Sequence, residues 1–392
     1  MDEGLQNNKR AARVITTAAL VSIFIYSFVV SLPGILINEV VDAFSLEGAD
    51  EGLMGALTSL GFMISLFFII LIQGRAQKST VIIAALAAQA VLLIICGFSP
   101  TFSLFLAGCV FLGFSGGFID AFSNSAVVDV RKNDSARYLG YLHGLFGVGS
   151  LLAPLAFIWA QRYIDWRGAH YALAIASFII MFFAFLLTRG LSNKSSNAIA
   201  REHLFTKADL YAYLRVKRNV MLALAGFFTM FAICSVMAWI VRYMTLRYDA
   251  AGIGVLSISV YWVCSTVNRF FLAQIIKRAP MKFFALGAII SGVSIVIGIF
   301  SGSPVVLCVM MGVFGFCSGH FIPVLISECA SGYEGQTTFT TSFIMFVMCI
   351  ARVISPIIIA YASTQISLTV GMMLPVVAAL ATTVCGWYAA RE

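Results

Sequence analysis

The chain has 392 residues, 61% of them hydrophobic and 11% charged, with a mean hydropathy of +0.97 and a formal net charge of +8. A soluble domain carries roughly 25% charged residues, so this composition excludes one and implies an all-α polytopic membrane protein. It also excludes a nucleic-acid binder, which needs a basic soluble face.

Apolar runs sufficient for a helix of about 20 residues fall near 14–37, 52–73, 79–98, 102–128, 138–160 and 169–188. Six more fall near 219–244, 252–275, 283–300, 304–327, 337–361 and 367–389, which predicts twelve spans. A short polar leader precedes the first run and eleven runs follow it, so 14–37 reads as a retained span and not as a cleaved signal peptide. With the N-terminus inside, the inner segments hold 19 Lys and Arg and the outer segments four, namely Arg162, Arg167, Arg242 and Arg247. Both termini are therefore expected in the cytoplasm, and the net positive charge reads as a topology signal.

In the first span Pro33 and Gly34 loosen the outer end, and Glu39, Asp42, Glu47, Asp50 and Glu51 follow as an acidic rim. Such a run usually serves solvation, which is preferred here to a cation-attracting vestibule; Asn38 and Glu39 are candidate residues at a cavity mouth. The tight turn Gly74 to Lys78 is what any short basic inner loop would show.

The fourth span carries GFSGGFIDAFSNSAVVDV, residues 113–130. It sets Asp120, and Asn124 one helical turn on, inside a segment otherwise apolar enough to cross a bilayer. A carboxylate at that depth costs roughly 2.5–3.5 kcal/mol on insertion scales, so Asp120 is the primary candidate for a functional role and Asn124 a candidate site residue beside it. Gly113, Gly116 and Gly117 leave room for a neighbouring helix to approach closely.

Segment 189–218 is long and polar, with seven basic and two acidic residues. Thr206 and Asp209 form a capping box, and Leu210, Tyr211 and Leu214 an apolar stripe, so a flexible linker leading into a short interfacial helix is expected. It divides the chain into a first six-helix bundle, 1–188, and a second, 219–392.

In the second half, Arg269 and Glu328 lie near the inner ends of their runs and read as a structural gate or charge network. His320 is two positions from the residue that the internal repeat pairs with Asp120. It is either a solute-binding group coupled to Asp120 or an interhelical donor packed beside Phe321 and Pro323. Arg352 lies mid-span, four residues before Pro356, and needs either an acidic side chain or an anionic group of the solute. The nine cysteines lie in or at the ends of apolar runs without CxxC or Cys/His spacing, so they read as packing, with no metal, disulfide or cofactor expected. No nucleophile or paired catalytic constellation is present either, so an enzyme is not expected.

The two halves repeat at a constant offset of 202 residues. Gly113, Phe114 and Gly117 match Gly315, Phe316 and Gly319; Ser99 matches Ser301, Ser125 matches Ser327, Pro154 matches Pro356, and Arg75 matches Lys277. One ungapped offset over several spans implies a parallel six-plus-six duplication. That architecture places a solute site at the midplane between the halves and suits alternating access.

Within this frame LHGLFGVGSLLAP (142–154), YWVCSTVNRF (261–270), Trp239 with the following VRYM, and GFIDAFSN (117–124) resemble the fucose permease branch of the major facilitator superfamily. The resemblance covers essentially the whole chain. It implies a secondary active transporter that moves a sugar or related small polar metabolite by symport with protons. An acid of the fourth helix takes part in proton coupling in that branch, and Asp120 occupies the matching position. Trp239 is implied as solute-binding, and His143 as a packing residue or secondary proton site. The second acid of the branch, in the first helix, falls near Gly34, where this chain has none, and Asn268 stands where Gly would precede Arg269. The alternative on the same fold is efflux of drugs or amphipathic metabolites by proton antiport, since the 34 Phe and 15 Met could line an adaptable pocket. Expected partners are a small-molecule solute, protons and the lipid bilayer of a bacterial inner membrane, with the chain a monomer.

Overall fold

In a bilayer each backbone polar group must be satisfied within the chain, which leaves helices or closed barrels. The computed structural model describes residues 2–45, 53–189, 206–271, 275 and 279–391, and among these every regular element is a helix. In chain order they are α1 (Asp2–Ile35), α2 (Ile37–Phe44), α3 (Leu53–Ile72), α4 (Lys78–Phe98), α5 (Phe102–Val130), α6 (Ser135–Ala160), α7 (Trp166–Arg189) and α8 (Lys207–Arg215). There follow α9 (Lys217–Tyr248), α10 (Ala251–Phe271), α11 (Pro280–Phe300), α12 (Pro304–Ser318), α13 (Phe321–Ala330), α14 (Thr337–Gln365) and α15 (Leu368–Ala389).

Among the described residues, ten helical stretches are long and apolar enough to cross a membrane. The two remaining expected runs, 52–73 and 252–275, are helical where described, as α3 (Leu53–Ile72) and α10 (Ala251–Phe271). Large apolar side chains such as Phe67, Phe111, Phe178, Val293 and Phe300 stay exposed. In water they would be an association hazard, whereas lipid is their natural solvent. The chain is a multi-pass integral membrane protein.

The internal repeat is visible in local chemistry. Thr101 caps α5 by accepting from the Leu104 N–H at 3.4 Å, and 202 residues later Ser303 caps α12 by accepting from Val306 at 3.4 Å, with Pro304 in the first turn. A Cβ added at Gly113 would stand 1.9 Å from the Thr58 carbonyl oxygen of α3, and one added at its repeat partner Gly315 would stand 2.3 Å from the Tyr261 carbonyl oxygen of α10. Both glycines therefore bring two backbones together where any side chain would hold them apart.

The chain divides into two compact units. The first comprises Met1–Ser135, Leu145–Phe205 and Gly332–Ser342; the second comprises Ala136–Gly144, Thr206–Ser331 and Phe343–Glu392. Helices α6 and α14 thus each contribute residues to both. The core of the first unit gathers Val29, Leu93, Phe105 and Trp166, the two rings meeting edge to face at 5.6 Å. In the second, Ile240, Tyr243, Tyr261 and Phe314 pack together.

Most of the expected linker, 190–205, lies outside the described residues, as do Glu47, Asp50 and Glu51 of the acidic rim. Where description resumes, Thr206 and Asp209 form the capping box of α8. That helix buries Tyr213 against the Phe343 ring and the Cys329 carbonyl, while Tyr211 and Leu214 of the expected stripe remain exposed.

Candidate functional site

In the first unit, the glycines of α5 decide where Asp120 can stand. Gly113 and Gly117 seat on Thr58 and Ser65 of α3, and Gly116 seats on Tyr26 of α1. One turn beyond Gly116, Asp120 is half-buried. Its Oδ1 accepts a 2.7 Å hydrogen bond from the Asn124 amide, which also donates to the Asp120 carbonyl at 2.9 Å. Asn124 is itself fully buried. Among the described residues this amide is the only side-chain partner of the carboxylate. A carboxylate held by one neutral group can gain or lose a proton without breaking an ion pair.

A second polar cluster in the same unit leaves almost no mark in the sequence. Lys78 Nζ lies 2.8 Å from Asp129 Oδ2, and the hydroxyl of Thr337, at the start of α14, donates to Asp129 Oδ1 at 2.7 Å while accepting from Lys78. Lys78 and Asp129 are only 8% and 14% exposed, so the three groups satisfy one another largely out of water. Next to them Thr338 donates to Ser125 at 3.3 Å, and Lys132 pairs with Glu334 at the surface. The one available signal was Asp129 itself, an acid at the C-terminal end of an apolar run.

Of the other first-unit candidates, Glu39 is half-buried in α2 with Oε2 unbonded among the described residues. The side chain of Asn38 lies outside the described residues. A cavity of about 20 Å³ between Tyr26, Leu36, Phe105 and His170 has room for one water and no organic solute.

In the second unit the expected tenth run is interrupted at Gly319 and His320, which separate α12 from α13. Pro323 has no N–H to offer the Gly319 carbonyl four residues back, and Arg269 supplies the missing donor from α10, Nε to oxygen 2.9 Å. Arg269 also donates through an amino group to the His143 carbonyl at 2.9 Å. The guanidinium is thus held by two backbone oxygens and, among the described residues, by no carboxylate. His143 is buried beside it, and Phe270 lies over Gly144 and stacks on Tyr141 at 6.2 Å.

Glu328 pairs with Arg218. His320 is buried, its ring edge-on to Phe321 at 5.1 Å and its Cε1 close against Gly287 of α11. The Phe283 backbone faces this ring, yet neither ring nitrogen meets hydrogen-bond geometry among the described residues. Trp239 is half-buried and packs on the cluster of Ile240 and Tyr243. Arg352 is exposed in α14, close enough to Cys234 of α9 for its charge to act there. The structure therefore joins Asp120 with Asn124, Arg269 with the His143 backbone, and Glu328 with Arg218.

Comparison with known proteins places this geometry in context. The family model described as Major Facilitator Superfamily matches residues 19–356. None of the curated protein sequences matches the chain. Among solved structures, the chain is similar to the transporter FucP in the outward conformation, with a TM-score of 0.77 and 17% identity over 97% of this chain and 99% of that one. It is similar to the E. coli fucose:proton symporter FucP at 0.73 and 16% over the same shares. The human organic anion transporter MFSD10 (TETRAN) gives 0.72 and 15%, again over 97% and 99%. At these identities the likeness is one of fold.

Proposed function

The chain belongs to the Major Facilitator Superfamily and is a transporter, not an enzyme; on that premise we propose that it moves a small polar organic solute by symport with protons through Asp120. The observation that carries this reading is the pairing of Asp120 with Asn124, a carboxylate inside a membrane-crossing helix whose one side-chain partner among the described residues is neutral. Protonation then changes the charge of the site by one unit without a compensating cation moving. Differential affinity of the proton and the solute for two conformations is what converts such a change into coupled movement.

The E. coli fucose:proton symporter FucP, with its similar fold, supports the proton-coupled class. No observation favours the efflux reading. The excess of basic residues in the expected inner segments, 19 against four, supports placing both termini in the cytoplasm, and we take a bacterial inner membrane as the location.

Reconstitution tests the proposal. Proteoliposomes should take up labelled solute saturably when an inward proton gradient is imposed and lose that accumulation when a protonophore collapses it. Linear, unsaturable flux would indicate a channel instead.

A further inference from the structure

We propose that the transported solute is an organic anion and that Arg352 binds its carboxylate or phosphate group. This rests on the transport reading above and narrows its solute class.

Arg352 stands within the membrane-crossing stretch Thr337–Ser355 and is exposed there. Among the described residues it makes no hydrogen bond or ion pair. Among the described residues its own unit leaves no carboxylate to answer it. Asp209 is held in the capping box of α8, and Glu328 is taken by Arg218. Asp249 is the left-handed C-cap of α9, 15 residues beyond Cys234, or about 22 Å along the helix at 1.5 Å per residue.

At about 100° per residue, Arg352 falls beside the buried stripe Met348, Ala351, Ser355 and Ile359. The exposed apolar residues Ile350, Val353, Ile358 and Tyr361 occupy the remaining arc. Its charge acts on Cys234 of α9. A second observation points to a ligand. The hydroxyl of Ser355, three residues along α14 and so on the same side of the helix, is fully buried and unbonded among the described residues. An unanswered guanidinium within a membrane-crossing stretch recognises a carboxylate or phosphate, whose paired oxygens fit the guanidinium fork. A neutral sugar would leave the charge uncompensated.

The test uses the full chain, purified in lipid nanodiscs, and four probes on one carbon frame: glucose, gluconate, glucose 6-phosphate and glucosamine. Binding is read by thermal shift and by titration. At least one of the two anions should bind and raise the thermal midpoint while glucose and glucosamine do not, and which anion binds separates carboxylate from phosphate recognition. R352Q should weaken that affinity at least tenfold, and R352K, which keeps the charge and loses the fork, should retain part of it. Equal responses to all four probes, no response to either anion, or full anion affinity in R352Q overturns the assignment. Where R352Q fails to fold, R352K decides, and unchanged affinity in it overturns the proposal. Anion binding without proton-driven uptake would keep the role of Arg352 and refute the proton-symport reading; proton-driven glucose uptake indifferent to R352Q would do the reverse.

Discussion

The Nε of Arg269 donates to the Gly319 carbonyl oxygen across 2.9 Å, and the acceptor is available because Pro323, four residues on, cannot bond it. Arg269→Met should therefore lower the thermal midpoint, since hydrogen bonds to charged groups contribute roughly 1.5–3 kcal/mol each and two backbone oxygens lose their donor. Pro323→Ala restores an N–H for Gly319 and should relieve part of that loss. A mutant cycle should give a coupling of about 0.5–3 kcal/mol; strict additivity would show that the proline and the arginine act independently.

The cluster of Lys78, Asp129 and Thr337 makes a different demand. Removing one member of a buried ion pair costs roughly 3–5 kcal/mol, because a charge remains without its partner, whereas removing both can be almost neutral. Lys78→Met should be strongly destabilising in chemical or thermal unfolding, and the double variant with Asp129→Leu should recover most of the loss. Equal or greater damage in the double variant would contradict the closed cluster.

Much of this was legible in the sequence, and the parts that were not share a physical reason. Asp120 stood out because a carboxylate inside an apolar run carries a known cost. The repeat that pairs Gly113 with Gly315 reappears as two matching backbone contacts. Lys78 and Thr337, by contrast, are separated by 259 positions, and local periodicity carries no information about such a pairing. The acceptors of Arg269 were hidden because they are backbone oxygens, which leave no side-chain signal. Pro323 was the one mark of the free carbonyl. It also accounts for the interruption of the tenth run into α12 and α13.

For His320, ring contacts with Phe321 and Gly287 favour packing over coupling to Asp120. His320→Gln should lower the thermal midpoint and leave the pH dependence of uptake unchanged. Combined with Asp120→Asn its effect on stability should add to within about 0.5 kcal/mol. A shift of the pH profile in the single variant would restore His320 to the proton pathway.

The central claim is that Asp120 couples solute movement to protons, and Asp120→Asn tests it most directly. The amide keeps a hydrogen-bonding side chain beside Asn124 and cannot titrate. In proteoliposomes the variant should still exchange labelled for unlabelled solute across the membrane. It should fail to concentrate solute when an inward proton gradient is imposed, with exchange no longer varying with pH. Accumulation at the wild-type level under that gradient would contradict the account.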